Sequence, residues 1–519
     1  MTSAREVALH AQVPTSAERL AANTVAPPPP ASLFQGSDSV NGYGISTAVE
    51  GTYASHGGSS SVFYQVALDV ETLYQALDIS QSVSVGFGPF GSVSEKSEFV
   101  QQLSLTSYSL NIVVHARHVK GTDTATAFKL KDGITPPQDD AALRNFFRSY
   151  GDSFVSSITT GAEYYAVYTF YAQSREEQDS VSAELKANGI FDFGSVGADL
   201  QTKLNRVTEK TQVRISFNQN VAGIANPKLP TPEQLVQYAL DFPSIPIDAP
   251  AILSFGLTGY EHVPDVGNFE PIAGNRAFLI GNQSDGGLAQ DLVKETQLIN
   301  QIDWLKSIYA FYQGFNDSKL NEVDSQAQTD QQALNEQFTR YVNDPTAKLS
   351  RPATPSLQQG SPKLQYQIAQ SPAQGGDGGG PFDDVDINTF IQRQDYVSSI
   401  QLRSGGYVDA ISVTYRSNST GDSWNDYHGG GGGGQSQTLT LQPGQFITKV
   451  NGRSGKYVDQ LNITISDGRH VGGGGSGGGA FDWNVPSGSV VLGFYGRSGK
   501  YLDQIGVTYA TLKPAQWVK

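Results

Sequence analysis

One seven-residue phrase occurs three times in the last quarter of the chain: Arg403-Ser404-Gly405-Gly406-Tyr407-Val408-Asp409, Arg453-Ser454-Gly455-Lys456-Tyr457-Val458-Asp459 and Arg497-Ser498-Gly499-Lys500-Tyr501-Leu502-Asp503. An internal repeat constrains architecture strongly, because similar segments fold into similar units that must share a core. Each copy stands directly before a strand-like run, Ala410 to Tyr415, Gln460 to Ile465 and Gln504 to Tyr509. The phrase is therefore a loop entering a sheet. From Gly375 to about Ala510 nearly every segment is a short run bounded by glycine, which predicts an all-β module of three similar sheets.

Three glycine-rich stretches keep step with the three phrases: Gly375 to Gly380 around Asp377, Gly429 to Gly434, and Gly472 to Gly479 around Ser476. One such run reads as a flexible linker; three in register with three Arg-Ser-Gly phrases read as part of a site. The chemistry available is recognition of sugar hydroxyls. A carboxylate such as Asp503 accepts two hydroxyl hydrogens, loop N–H groups donate to sugar oxygens, and a tyrosine ring offers an apolar face. Glycine lets backbone approach a ligand closely. The alternative is a duplicated hairpin turn in which the Asp caps its loop and binds nothing. Gly455-Lys456 and Gly499-Lys500 imitate the end of a phosphate-binding loop, but Tyr457 and Tyr501 stand where Ser or Thr must hold magnesium, so nucleotide binding is rejected.

Length and charge narrow the rest. At 519 residues the chain is too long for one core. Its net charge of -15 argues against nucleic acid and against simple attraction to anionic lipid. There is no cysteine, hence no disulfide or thiolate chemistry. His115 and His118 stand apart from any metal-ligand spacing, no HExxH occurs, and no nucleophile–base pattern is visible, so neither metal, cofactor nor catalysis is expected. The segment up to Phe34 lacks the apolar run of a signal peptide, and no segment approaches the roughly 18 apolar residues of a spanning helix. The expectation is a soluble product released by a route without a conventional signal peptide.

Composition divides the chain into an extended arm, 1–33, ending in Pro27-Pro28-Pro29-Pro30; a first domain, 34–345; a Pro-, Gln- and Ser-rich linker, 346–374; the all-β module, 375–511; and a tail, 512–519. In the first domain strand-like alternation recurs, as in Ser109 to His118 and Gln212 to Asn218. Beyond about residue 290 the period becomes helical, with stripes at Ile299, Ile302, Leu305 and at Leu334, Phe338, Tyr341. The fold class expected is α+β and multidomain.

Two stretches satisfy both periods at once. In 174–207, Val181, Ala183, Leu185, Ala187, Phe191 and Phe193 alternate with polar partners apart from Ile190, and after Gly194-Ser195 the phase flips to Val196, Ala198, Leu200 and Leu204. That is a hairpin with one apolar face, each arm near the roughly 9–11 residues a tilted strand needs to cross a bilayer. Yet Ser174-x-x-Glu177 is a capping box, and Leu200, Leu204 and Val207 have helical spacing. In 72–106, Val83, Val85 and Phe87 alternate with small residues before Gly88-Pro89. Exposed, such hairpins aggregate; folded as helices on a sheet, they are hidden.

Two resemblances attach to these residues. Gly378-Gly379-Gly380-Pro381-Phe382-Asp383-Asp384, the glycines after His428, and Gly496 to Val507 make 375–511 resemble a jacalin-related lectin. That resemblance implies a β-prism of three four-stranded sheets and metal-free sugar sites, each pairing a Gly-x-x-x-Asp loop with a glycine loop. By that pattern Gly499, Tyr501 and Asp503 face the first glycine loop at Gly378. Gly405, Tyr407 and Asp409 face the second at Gly430, and Gly455, Tyr457 and Asp459 face the third at Gly473. Residues Asn145 to Ala162 resemble a degenerate signature of the membrane-attack-complex/perforin family, with Tyr150, Gly151, Phe154 and Gly161 in matching positions and Asp152-Ser153 replacing Thr-His. This resemblance, over about 34–345, implies a bent sheet carrying two helical clusters that unfurl into hairpins, Val83, Val85, Phe87, Val181, Leu185, Phe191, Phe193, Val196 and Leu200 facing lipid. Gly161 lies near the bend on this reading, and Glu184, Lys186, Asp192, Asp199 and Lys203 line the lumen. Together the resemblances imply a toxin, of the bacterial insecticidal type, that is monomeric in solution, binds target-cell glycans and forms a homo-oligomeric pore in the membrane. The rival expectation is a sugar-binding adhesion or signalling protein that never inserts.

Overall fold

The protein is described from a computed structural model that covers residues 32–40, 42–79, 95–211, 213–281, 286–312, 316–386, 390–391, 393–418 and 421–519. Its N-terminal half is built on three long antiparallel strands: β1 (Val49–Ala67), β2 (Tyr108–Leu130) and β3 (Ser153–Ala172). Two shorter strands divide the outer edge of β3, β4 (Arg214–Ala222) pairing with residues 163–171 and β5 (Ala251–Gly259) with residues 153–161. Gly161 stands at the hand-over. A Cβ there would lie 2.3 Å from the His118 carbonyl oxygen, and one on Gly223, at φ +83°, would lie 2.2 Å from the Gly161 oxygen. At the same level the β2–β3 register shifts between Val119 and Gly121, and Gly121 pairs with Gly57 of β1.

Strand alternation sends neighbouring side chains to opposite faces, and both faces near the Ala172 end of β3 are covered. Leu110, Ile112, Val114, Ala116, Tyr164 and Phe170 pack with helices α4 (Arg175–Ala187) and α5 (Leu200–Lys210). Val113, Tyr165 and Val167 pack with α1 (Val70–Ala76) and α2 (Glu95–Gln102). Among the described residues the dual-pattern stretches are therefore mainly helical, with residues 193–195 a short strand on β1. Ser174 caps α4, its hydroxyl accepting from the Glu177 N–H at 3.3 Å. The buried residues follow the helix period: Val181 and Leu185 are buried while Ala183 and Ala187, which strand alternation places with them, face solvent. Val196 and Leu200 are buried as well, whereas Phe191 and Phe193 are 60% and 64% exposed. Val83, Val85 and Phe87 lie outside the described residues.

Helix α3 (Asp140–Tyr150) ends at Gly151, whose φ of +82° and N–H to Phe147 oxygen bond stop the helix. Asp152 is fully buried. Its carboxylate accepts from the Ser39 N–H at 2.9 Å, the Ser39 hydroxyl at 2.6 Å, the Ser153 hydroxyl at 2.8 Å and the Tyr341 hydroxyl at 2.6 Å. Asp152 is thus a fastening point between the segment around Ser39, β3 and the distant helix that carries Tyr341. Phe154 is buried beside it and Tyr150 is half-buried.

Two long helices, α6 (Gly287–Phe311) and α7 (Ser318–Asn343), carry the two predicted apolar stripes. They do more than close the first domain. Leu288, Leu292, Leu334, Phe338 and Tyr341 belong to the N-terminal core, while Ile302, Leu305, Ile308, Leu320 and Val323 share a core with the C-terminal module. The stretch 346–374, expected as a linker, contains strand β6 (Ser361–Gln370), which pairs with Leu502–Val518. Leu364, Tyr366 and Ile368 alternate toward that core; the surrounding prolines and glutamines obscure this short period in the sequence. The expected tail, from 512, is likewise the end of the strand Leu502–Val518.

The C-terminal module has three sheets. In each, one phrase is the hairpin turn between the two central strands: Asp395–Ser404 and Val408–Ser417, Ile447–Ser454 and Val458–Ile465, Ser489–Ser498 and Leu502–Val518. The register slips at the same place every time, between Arg and Ser of the phrase. A recurrent bulge of this kind re-aims the side chains that follow it.

Candidate glycan-binding sites

The bulge and turn bring the last residue of each phrase back beneath its glycine loop. Asp409, Asp459 and Asp503 are only 6%, 6% and 5% exposed. Each turn closes in the same way, with the Gly405, Gly455 and Gly499 N–H groups donating to the Tyr407, Tyr457 and Tyr501 carbonyl oxygens at 2.9, 2.9 and 3.0 Å. The partnering is as the pattern implies: Asp503 meets the first glycine loop, Asp409 the second and Asp459 the third. A Cβ on Gly378 would be 2.4 Å from Asp503 Oδ1, one on Gly432 2.2 Å from Asp409 Oδ1, and one on Gly477 2.4 Å from Asp459 Oδ1. Only a residue without a side chain fits there. The next residues, Gly379, Gly433 and Gly478, have φ of +63°, +60° and +65°, the left-handed region that glycine enters without penalty.

Two expected glycines are placed differently. Gly430 and Gly473 do not face the carboxylates; Gly432 and Gly477 do. The loops align on the positive-φ glycines Gly375, Gly429 and Gly474, whose successors donate to the Asp503, Asp409 and Asp459 carbonyl oxygens. Counted from there, Gly378, Gly432 and Gly477 are equivalent, whereas Gly430 is two places early and Gly473 four. A run of identical residues carries no internal mark of its register, so only the backbone pairing reveals it.

The arginine of each phrase escaped the sequence reading although it is invariant in the repeat. Arg403 donates from Nε to the Gly432 carbonyl at 2.9 Å and from Nη2 to those of Gly431 and Gly433 at 3.0 Å. Arg453 holds Gly477 and Gly478 at 2.8 and 2.7 Å, and Arg497 holds Gly378 and Gly379 at 2.9 and 2.8 Å. A guanidinium with its fixed fork of donors is suited to fixing a flexible loop by its carbonyls. Burial pushes the Asp503 carboxyl above the ordinary range, while Arg497 and Lys456 pull it back.

The three tyrosines converge instead of lining three separate sites. Tyr407, Tyr457 and Tyr501 contact one another, with ring centroids 5.4, 5.5 and 5.2 Å apart, so the three phrases lie at one end of the module around a common aromatic centre. His428 is structural: its ring stacks on Phe382 at 3.7 Å and its Nε2 lies 2.6 Å from Asp384 Oδ1, joining two sheets. The arrangement as a whole offers three carboxylates, constrained loop amides and aromatic edges, which is equipment for holding polyhydroxylated ligands.

Residues 371–508 match the family of the jacalin-like lectin domain, and this part of the chain is such a domain. No curated protein matches the chain. Among solved structures it is similar to Malaysian banana lectin, at 26% identity over 28% of this chain and 99% of that one, with a TM-score of 0.24. It is also similar to a mannose-binding jacalin-related lectin from Ananas comosus, at 24% identity over 28% and 99% of the two chains and a TM-score of 0.24. A mannose-binding lectin from champedak aligns at 25% identity over 28% and 97%, again with a TM-score of 0.24.

Proposed function

We propose that this protein is a glycan-directed pore former: the C-terminal domain binds mannose-type sugars on a target membrane, and the N-terminal half, built as a perforin-like domain, oligomerises and inserts hairpins. Glycan binding rests on the threefold Asp–glycine arrangement, in which the same carboxylate lies under the same side-chain-free loop in all three repeats. Mannose is the sugar named for two of the similar lectins. Weak single sites gain avidity when three engage one surface.

Insertion is supported by where the helical clusters lie. α1 and α2 occupy the connection between β1 and β2, and α4 and α5 that between β3 and β4. Opening either cluster into strands lengthens an existing hairpin, and for the second cluster the short strand Phe193–Ser195 must first leave the edge of β1. The charged residues Glu184, Lys186, Asp199 and Lys203 then line the lumen and avoid lipid, where a basic residue at mid-depth costs about 2–4 kcal/mol.

The test is dye release from vesicles with and without a mannose-terminated glycolipid, using the wild type and a Gln65→Cys/Phe193→Cys pair. These positions are Cα partners across β1 and the 193–195 strand, and the chain has no other cysteine to interfere. The oxidised variant loses lysis and regains it on reduction. Lysis by the locked form makes hairpin release from this cluster wrong. A non-lytic glycan-binding adhesion protein is the second reading, and one observation favours it: α2 is bound to the sheet by a buried ion pair, Lys96 Nζ to Glu163 Oε1 at 2.9 Å, which opposes release.

A further inference from the structure

The three sites share one backbone but differ in charge, because each glycine loop rests on the phrase of a different repeat. A Cβ on Gly376, in the Asp503 site, would lie 2.4 Å from the Lys456 carbonyl oxygen. The equivalent contacts are Gly430 with the Lys500 oxygen at 2.3 Å in the Asp409 site, and Gly475 with the Gly406 oxygen at 2.4 Å in the Asp459 site. Two sites therefore receive a lysine from a neighbour and the third receives a glycine. The following loop position varies too: it is Asp377, Gly431 and Ser476 in the three sites. The first thus carries an acidic residue, Asp377, next to the glycine that meets Lys456. Only the Asp409 site keeps an added cation without an added anion.

That site has a second distinction. Two residues before its positive-φ glycine stands Tyr427, 48% exposed, its hydroxyl donating to the Gly430 carbonyl at 2.7 Å. Ala373 and Gly472 hold this place in the other two loops. Tyr407, from the phrase of the Asp409 site, is exposed as well, at 40%. Lys500 Nζ lies 5.6 Å from the Tyr501 ring, which itself contacts Tyr407 at 5.5 Å. A buried carboxylate, two accessible rings and the backbone of Lys500 thus meet one glycine loop.

We propose that the three sites are not equivalent and that the Asp409 site alone selects an acidic oligosaccharide, one in which a neutral hexose held by Asp409 is linked to a carboxylate-bearing sugar that meets Lys500 and Tyr427. The acid group cannot sit on the hexose held by Asp409, where two carboxylates would repel; it belongs on the adjoining sugar. This inference rests on the glycan-binding reading and adds a substrate class to one of its sites.

Titration of the full-length protein with a glucuronosyl-mannose disaccharide and with its uncharged methyl ester tests the idea. Wild type binds the acid tighter than the ester by roughly two- to fivefold at low salt, the worth of one accessible ion pair, and the preference shrinks as salt rises. Lys500→Ala abolishes the preference for acid over ester, and Tyr427→Ala weakens both disaccharide forms. Lys456→Ala keeps the preference. Equal binding of acid and ester by wild type, or an unchanged preference in Lys500→Ala, overturns the proposal. Failure of wild type to bind methyl mannoside at all removes the glycan-binding reading itself, a different result.

Discussion

Arg497 grips the loop that covers its own repeat's carboxylate, donating from Nε to the Gly378 carbonyl oxygen at 2.9 Å. The same contact recurs at Arg403 and Arg453, so the arginine is what turns a glycine run into a fixed surface. Arg497→Ala, in a background where Asp409→Asn and Asp459→Asn silence the other sites, is expected to weaken methyl mannoside binding about tenfold, the scale of one charge-assisted hydrogen bond. Arg497→Lys does not restore it, because an ammonium cannot span two carbonyls as the fork does. Calorimetric titration reads the affinity, and an unchanged melting temperature separates this effect from misfolding.

Adjacent glycines in one loop carry opposite predictions. A Cβ on Gly432 would fall 2.2 Å from the Asp409 carboxylate, while one on Gly431 meets nothing within 4 Å. Gly432→Ala is expected to eliminate the Asp409 site and Gly431→Ala to leave it within about twofold of wild type, since open space and an ordinary φ impose no strain. Equal effects of the two would show that the loop is not held in this register.

Glu163 on β3 joins the neighbouring strand β2, through His115, to the first helical cluster, through Lys96. Burial pushes its carboxyl up, but Lys96 at 2.9 Å and His115 at 3.0 Å more than offset this and hold it below the ordinary value of 4.5. A depressed folded value means that the stabilisation is present above the unfolded value and is lost as pH falls through the folded one. Glu163→Gln strands Lys96 in the interior, and a loss of about 3–5 kcal/mol is expected at neutral pH. Denaturant unfolding measures it. If the cluster unfurls, the variant also lyses vesicles faster.

Glu295 has the opposite sign. Burial, with Asp330 and Asp291 nearby, raises its carboxyl to about 8, despite the Ser356 hydroxyl bonded to it. The folded protein retains a proton that the unfolded chain releases, so this group's contribution falls as pH rises from about 4.5 to about 8. Glu295→Gln removes that decline: its melting temperature relative to wild type is expected to climb across the same window. A constant difference would place the proton elsewhere.

Much of the C-terminal architecture is legible from spacing alone. Three phrases, three following strands and three glycine runs leave little choice but three sheets with equivalent turns, and the link between each carboxylate and its loop follows from the resemblance they carry. The N-terminal dual-period stretches are undecided by sequence, because alternation and helical spacing coexist in 181–204; burial against Leu110, Ile112 and Tyr164 selects the helix here. Strand β6 is hidden for a related reason, since its stability comes from pairing with residues more than 130 positions away. What the sequence by itself determined is the repeat: which residue types return, and how often. What only the tertiary structure decided is register and neighbourhood, that Gly432 and not Gly430 faces Asp409 and that the Lys500 carbonyl of another repeat meets Gly430. Hydrogen-bond ladders set the first and contacts between distant segments set the second, and neither is written in local order.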